Sequence, residues 1–289
     1  MTQTARFPFT AFVILLALAT SFVTVRVTAP QTSPVSGAAN TTQPDALDRI
    51  VAAKKLRCGY ISYPPYFSKD PNTGKEQGLM VDILQNIADK MQVKLEWSYE
   101  TTWATMFEDM KMDRFDAVCS SVWQNTERAL QADFSTPILY NQIQAWVRTD
   151  DNRFDGNLAA INRPDITIPT LDGEMVEKLA KEFFPKAKTI SLPQNALFSD
   201  VMTNVVTKKA DIVFLEPQVA QDYLRANPGS LRAVQNVPAV AEFPVVIVLP
   251  KNSPRLKTVI DTAVMEIKST PALATLLAKY GMVENVVVK

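Results

Sequence analysis

Two hydrophobic periods alternate along most of this chain. Between positions 79 and 91, apolar residues stand at Leu79, Ile83, Leu84, Ile87, Ala88 and Met91, the spacing of one helical face. Apolar runs of strand length flank it at 56–61 and 93–97. A helix is expected at 46–54, and Thr102 is placed to cap another that runs to about 112 over Met106, Phe107 and Met110. Farther along, the pattern predicts strands at 143–147, 165–169, 188–192, 211–215 and 245–249, and helices at 174–183, 196–208 and 218–226. Ser253-Pro254 and Thr270-Pro271 have the N-cap and N1 chemistry of two closing helices. Strands separated by helices imply an α/β fold with a largely parallel sheet. Two such series of comparable size imply two lobes.

One stretch, 115–128, carries more chemistry than the others. It begins as an apolar run at Phe115-Asp116-Ala117-Val118 and breaks into two hydroxyls, Ser120 and Ser121. Trp123 and a short polar turn follow, ending in Arg128. Open α/β sheets bind ligands where a strand opens into a loop at its carboxyl end. Hydroxyl donors, an aromatic face and a guanidinium fork suit a small carboxylate or zwitterion. The same residues also describe a plain strand, a turn and a solvated Arg.

The amino terminus has a different texture. Arg6 precedes a nearly continuous apolar run at 7–25, the signature of an export signal. Its length borders on the roughly 20 residues that span a bilayer. Ala17-Leu18-Ala19 comes too early for cleavage, and Val27-Thr28-Ala29 is followed by Pro30, so residues 1–28 read as either a signal peptide or a retained transmembrane anchor. Residues 29–44 are small, polar and Pro-rich, a flexible linker. The folded region is expected from 45 onward.

Composition narrows the chemistry. The chain has 289 residues, with 30 basic and 30 acidic side chains, so it lacks the basic excess of a nucleic-acid binder. It contains no His, which removes imidazole bases, Ser-His-Asp triads and most transition-metal sites. No metal or other cofactor is implied. Catalysis would have to use carboxylates, Lys or Tyr. Two Cys are too few for a disulfide scaffold.

Several short motifs occur in series: Leu56-Arg57-Cys58-Gly59, Tyr63-Pro64-Pro65-Tyr66, Gly78-Leu79-Met80-Val81-Asp82, Phe115-Asp116-Ala117-Val118, Thr126-Glu127-Arg128 and Phe134-Ser135-Thr136-Pro137. Together they resemble the extracellular solute-binding proteins of family 3, the polar amino-acid receptors of ABC importers. The resemblance covers nearly all of 46–282. It implies a two-lobed, periplasmic-binding-protein-like (type II) fold with a ligand cleft. Lobe one would comprise 45–141 and 247–289, lobe two 144–242, and the hinges would lie near 141–144 and 243–246. It also implies an exported, periplasmic monomer that delivers its ligand to an ABC permease, with possible tethering to the inner membrane through residues 7–25.

The resemblance assigns residues as well. Arg128 matches the clamp for a ligand carboxylate, and Ser121, flanked by Ser120, matches a donor to the same group. Tyr63 and Trp103 match two aromatics that sandwich the ligand side chain, although both would also serve as core. Glu216 matches the acid that accepts the ligand ammonium, although an acid at a strand end often only caps the next helix. Asp82 reads as structural. Trp123 replaces a small residue beside the carboxylate site, Asn125 stands where the family has Thr, and Tyr60-Ile61-Ser62 lacks the extra acid of basic-amino-acid binders. Cys58 and Cys119 would sit on adjacent parallel strands, where bridging is awkward, and two buried thiols are expected. A cyclohexadienyl dehydratase-like enzyme on the same fold, using Glu216 as acid or base, and a membrane-tethered sensor are the competing functions.

Overall fold

The computed structural model describes residues 45–289. The expected export segment and linker lie outside the described residues. The chain opens with helix Ala46–Ala53, capped by Asp45, whose carboxylate accepts from Leu47 N at 3.0 Å. Strand Lys55–Tyr60 follows and lies between two parallel neighbours, Lys94–Glu100 and Ala117–Trp123. Helix Leu79–Lys90 covers this part of the sheet with its Leu79, Ile83, Leu84 and Ile87 face fully buried. The closing helices Pro254–Lys268 and Pro271–Lys279 pack on the same helix. Asp82 ties this layer together by accepting from Lys279 Nζ at 2.6 Å and Tyr280 Oη at 2.8 Å.

The second group of elements is built the same way. Thr167–Leu171 pairs in parallel with Lys188–Leu192, and Asp211 N donates to Thr167 O beside strand Ile212–Leu215. Helices Met175–Phe183, Phe198–Val206 and Pro217–Ala226 alternate with these strands. Two long antiparallel strands join the groups: Leu139–Arg148 and Ala241–Leu249, with Asn141 opposite Phe243 and Leu139 opposite Val245. Ala241–Leu249 also pairs with Ala117–Trp123, and Leu139–Arg148 pairs with Ile212–Leu215. One sheet therefore runs through both halves. Among the described residues no helix is long and apolar enough to cross a membrane.

Three expectations are corrected. The strand expected to break at the two hydroxyls continues through Ser120 and Ser121 to Trp123, fully buried. Ser120 can sit there because its Oγ accepts from Ile61 N at 2.7 Å and donates to Ile61 O at 3.3 Å. The helix expected from Thr102 starts at Met106, after a turn in which Thr102 Oγ1 accepts from Thr105 N. Cys58 and Cys119 are bridged rather than free. Cys58 lies level with Ala117, not Cys119, so the half-cystines are diagonal neighbours with Cα atoms 5.5 Å apart, well within bridging range.

Candidate functional site

The turn after strand Lys55–Tyr60 presents Tyr63. Ser120 fastens the turn at Ile61, and Tyr63 N donates to Phe67 O at 2.8 Å. Gly78 lets the backbone of this turn close: at φ +133°, a Cβ there would lie 2.3 Å from Tyr66 O. The buried Tyr63 ring stacks on Tyr66, with centroids 5.6 Å apart, and meets Trp103 edge-on at 5.8 Å. From the second half of the molecule, Phe198 leans on Tyr63 at 4.5 Å. A cavity of about 220 Å³ opens beside Trp103 and Phe198.

Glu216 sits between strand Ile212–Leu215 and Pro217, which starts the next helix. Its carboxyl makes no capping bond and is fully buried. Tyr63 Oη donates to Oε2, and Asn141 Nδ2 donates to Oε1 at 2.9 Å. Asn141 Oδ1 in turn accepts from Tyr66 Oη at 2.6 Å, and Gln218 Nε2 donates to Tyr66 Oη. Ser121 Oγ touches Asn141 Nδ2 at the 3.5 Å limit of a hydrogen bond. Burial pushes the Glu216 carboxyl up to about 8 against the pull of the Tyr63 hydrogen bond, and nearby Glu174 adds to the rise. The Tyr63 and Tyr66 phenols are raised by the same burial.

Arg128 approaches from the first half, on the short helix Thr126–Ala129. Asn125 caps it by accepting from Arg128 N at 2.8 Å. The side chain is 5% exposed, yet among the described residues no carboxylate pairs with it. Its Nη1 donates to Trp123 O at 2.8 Å, and its Nη2 reaches Gly173 O in the second half at 3.5 Å. Burial lowers its pKa to about 10, with Glu174 pulling the other way. Glu174 is itself buried and caps helix Met175–Phe183 by accepting from Val176 N at 2.6 Å. Desolvation raises it to about 7. Among the described residues it is the acid within electrostatic reach of all three of Arg128, Glu216 and Tyr63.

The structure thus brings Tyr63, Trp103 and Glu216 together, with Ser121 linked to them through Asn141. It turns two other candidates elsewhere. The Ser120 hydroxyl is consumed by Ile61. The Trp123 ring stacks on Phe243 at 4.9 Å, so this residue reaches Arg128 through its carbonyl alone. Tyr66, Asn141, Glu174, Gln218 and Phe198 belong to the site and escaped the sequence reading. Of these, Glu174 had a legible signal, an acid immediately before an apolar-faced helix. The chemistry on offer is a buried cation with no salt-bridged carboxylate among the described residues, two buried acids whose pKa values are raised to about 7 and 8, and an aromatic wall. Among the described residues no group of His, Cys, Asp and Glu could hold a metal ion.

Residues 56–283 match the family of bacterial extracellular solute-binding proteins, family 3, and the chain belongs to it. Cyclohexadienyl dehydratase of Pseudomonas aeruginosa is 29% identical over 187 residues, covering 64% of this chain and 68% of that protein. ABC transporter arginine-binding protein 1 of Escherichia coli K12 is 23% identical over 178 residues, 61% of this chain and 69% of that one. Among solved structures, the ancestral amino acid-binding protein AncCDT-1, a precursor of cyclohexadienyl dehydratase, aligns with a TM-score of 0.72 at 26% identity, over 82% of this chain and 99% of its own. The architecture is the expected two-lobed α/β fold.

Proposed function

We propose that this chain is the solute-binding component of an ABC importer and closes its lobes around an amino acid or a similarly small zwitterion. The carrying observation is Arg128, a buried guanidinium with no carboxylate partner among the described residues. A ligand carboxylate supplies that partner through charge-assisted hydrogen bonds. Glu216, once ionised, accepts the ligand ammonium, while Tyr63 and Trp103 pack its side chain and Ser121 lends a hydroxyl. The lobes comprise 45–141 with 247–289, and 144–242, and they rotate at 141–144 and 243–246. Ligand favours the closed form because only there does it touch both lobes. The protein works outside the cytoplasm as a monomer, is exported by its amino-terminal segment, and hands its ligand to a permease. Thermal-shift screening against the common amino acids tests this, since a ligand raises stability by mass action. At least one should stabilise the wild type; none doing so would defeat the transport reading.

A second reading rests on the two buried acids. Carboxyls held near 7 and 8 are poised as general acids, and the Pseudomonas aeruginosa relative is a cyclohexadienyl dehydratase. On this reading Glu216 protonates the hydroxyl of prephenate or arogenate, which leaves as water. The ring carboxylate departs as CO2, its bonding electrons complete the aromatic ring, and Arg128 holds the side-chain carboxylate. Incubation with prephenate separates the two: phenylpyruvate formation with no response to amino acids supports the enzyme, and unchanged prephenate removes it.

A further inference from the structure

A cavity of about 560 Å³ borders the segment just before Arg128, and neither Tyr63 nor Glu216 lines it. Three separate parts of the chain wall it: the turn 125–127, helix Met175–Phe183 and the start of crossing strand Ala241–Leu249. Its apolar lining comes from Met175, Leu179, Phe183, Val240 and Phe243. Phe183 is 48% exposed at this rim, an aromatic left over from packing the core.

The charged lining is lopsided. Glu127, Glu182 and Glu242 face one cation, Lys178. Lys178 pairs with Glu127, and Lys289 pairs with Glu242. Glu182 is left without a partner among the described residues. A cavity of this size, with one apolar wall and an exposed, unpaired carboxylate at its rim, complements a molecule with an apolar body and a single positive end. An anion of the same shape would meet Glu182 and gain no free cation.

We propose that this cavity is a second ligand site, distinct from the cleft, that takes a hydrophobic primary ammonium such as an arylalkylamine. The aromatic body lies on Phe183, Leu179 and Phe243, and the ammonium meets Glu182. The site also touches the supports of Arg128. Asn125 lines the cavity and caps Arg128. Phe243 lines it and stacks on Trp123, whose carbonyl accepts from Arg128.

The test uses the full chain, 2-phenylethylammonium as probe and 3-phenylpropionate as its anionic counterpart, read by calorimetry. The ammonium should bind the wild type, and the carboxylate should bind at least tenfold more weakly. Glu182→Gln and Phe183→Ser, both at exposed positions remote from the cleft, should each weaken the ammonium at least fivefold without altering the melting temperature. Glu216→Gln should leave ammonium binding within twofold of wild type. Binding that survives both rim variants, that is lost in Glu216→Gln, or that is equal for the two probes would overturn the proposal. So would no detectable ammonium binding.

Discussion

Tyr63 and Glu216, 153 residues apart in the chain, meet as phenol donor and buried carboxyl acceptor between the two halves of the molecule. The bond places a protonatable acid beside an aromatic wall, and Glu174 lies within electrostatic reach of both Glu216 and Arg128. Each of these groups is costly to bury alone. Burying them near one another sets the cost against which the proposed ligand contacts are weighed.

The acids give the protein a pH signature. Glu216 is raised to about 8 and Glu174 to about 7 in the folded chain. The folded state therefore holds protons that the unfolded chain releases above about 4.5. Stability from these groups is fully present below that value and is lost as pH rises through 7 and 8. The melting temperature should fall between pH 5 and pH 8, and Glu216→Gln should flatten the slope. A profile rising across that window contradicts the assignment.

An ammonium-bearing ligand stabilises the ionised form of Glu216, so binding at pH 7 should expel a proton. Titration calorimetry in buffers of different ionisation enthalpy measures this directly. Apparent enthalpies that do not vary with the buffer would remove Glu216 from the ammonium site.

Gly173 adopts φ +79°, and a Cβ there would stand 2.9 Å from Ala104 Cβ in the other half. Gly173→Ala should therefore obstruct closure while the fold persists, because the residue lies in an exposed turn. An affinity loss of about tenfold is expected, or roughly 1.4 kcal/mol. Unchanged affinity would show that the two walls separate when ligand binds.

The Cys58–Cys119 bridge spans 61 residues of sequence. In the chain-entropy account, a loop of that length contributes about 4 kcal/mol. A Cys58→Ala/Cys119→Ala double variant should melt at least several degrees lower. A matching melting temperature would assign the bridge no role in stability.

Much of the fold was legible because burial and periodicity agree there: strand Lys188–Leu192 lies where the alternation predicted, and helix Leu79–Lys90 ends one residue early. The failures have local causes. Ser120 resembles a strand terminator, but tertiary hydrogen bonds to Ile61 satisfy its hydroxyl within the sheet. The disulfide depends on a diagonal register that no spacing rule reveals. At the candidate site, Arg128 stood out by residue type and position, whereas Tyr63, Trp103 and Glu216 were assigned through the resemblance to the family. Asn141 and Gln218 did not, since their roles arise only when the crossing strand and a distant helix converge on Tyr66.

Arg128→Met removes the proposed carboxylate clamp. Wild type and variant are titrated with whichever amino acid stabilises the wild type, and both are melted without ligand. An affinity loss of about 100-fold or more is expected, from two charge-assisted hydrogen bonds. The unliganded melting temperature should change little, because relieving a desolvated charge with no salt-bridged carboxylate among the described residues offsets the lost hydrogen bond to Trp123 O. Full affinity in the variant would show that the carboxylate is held elsewhere.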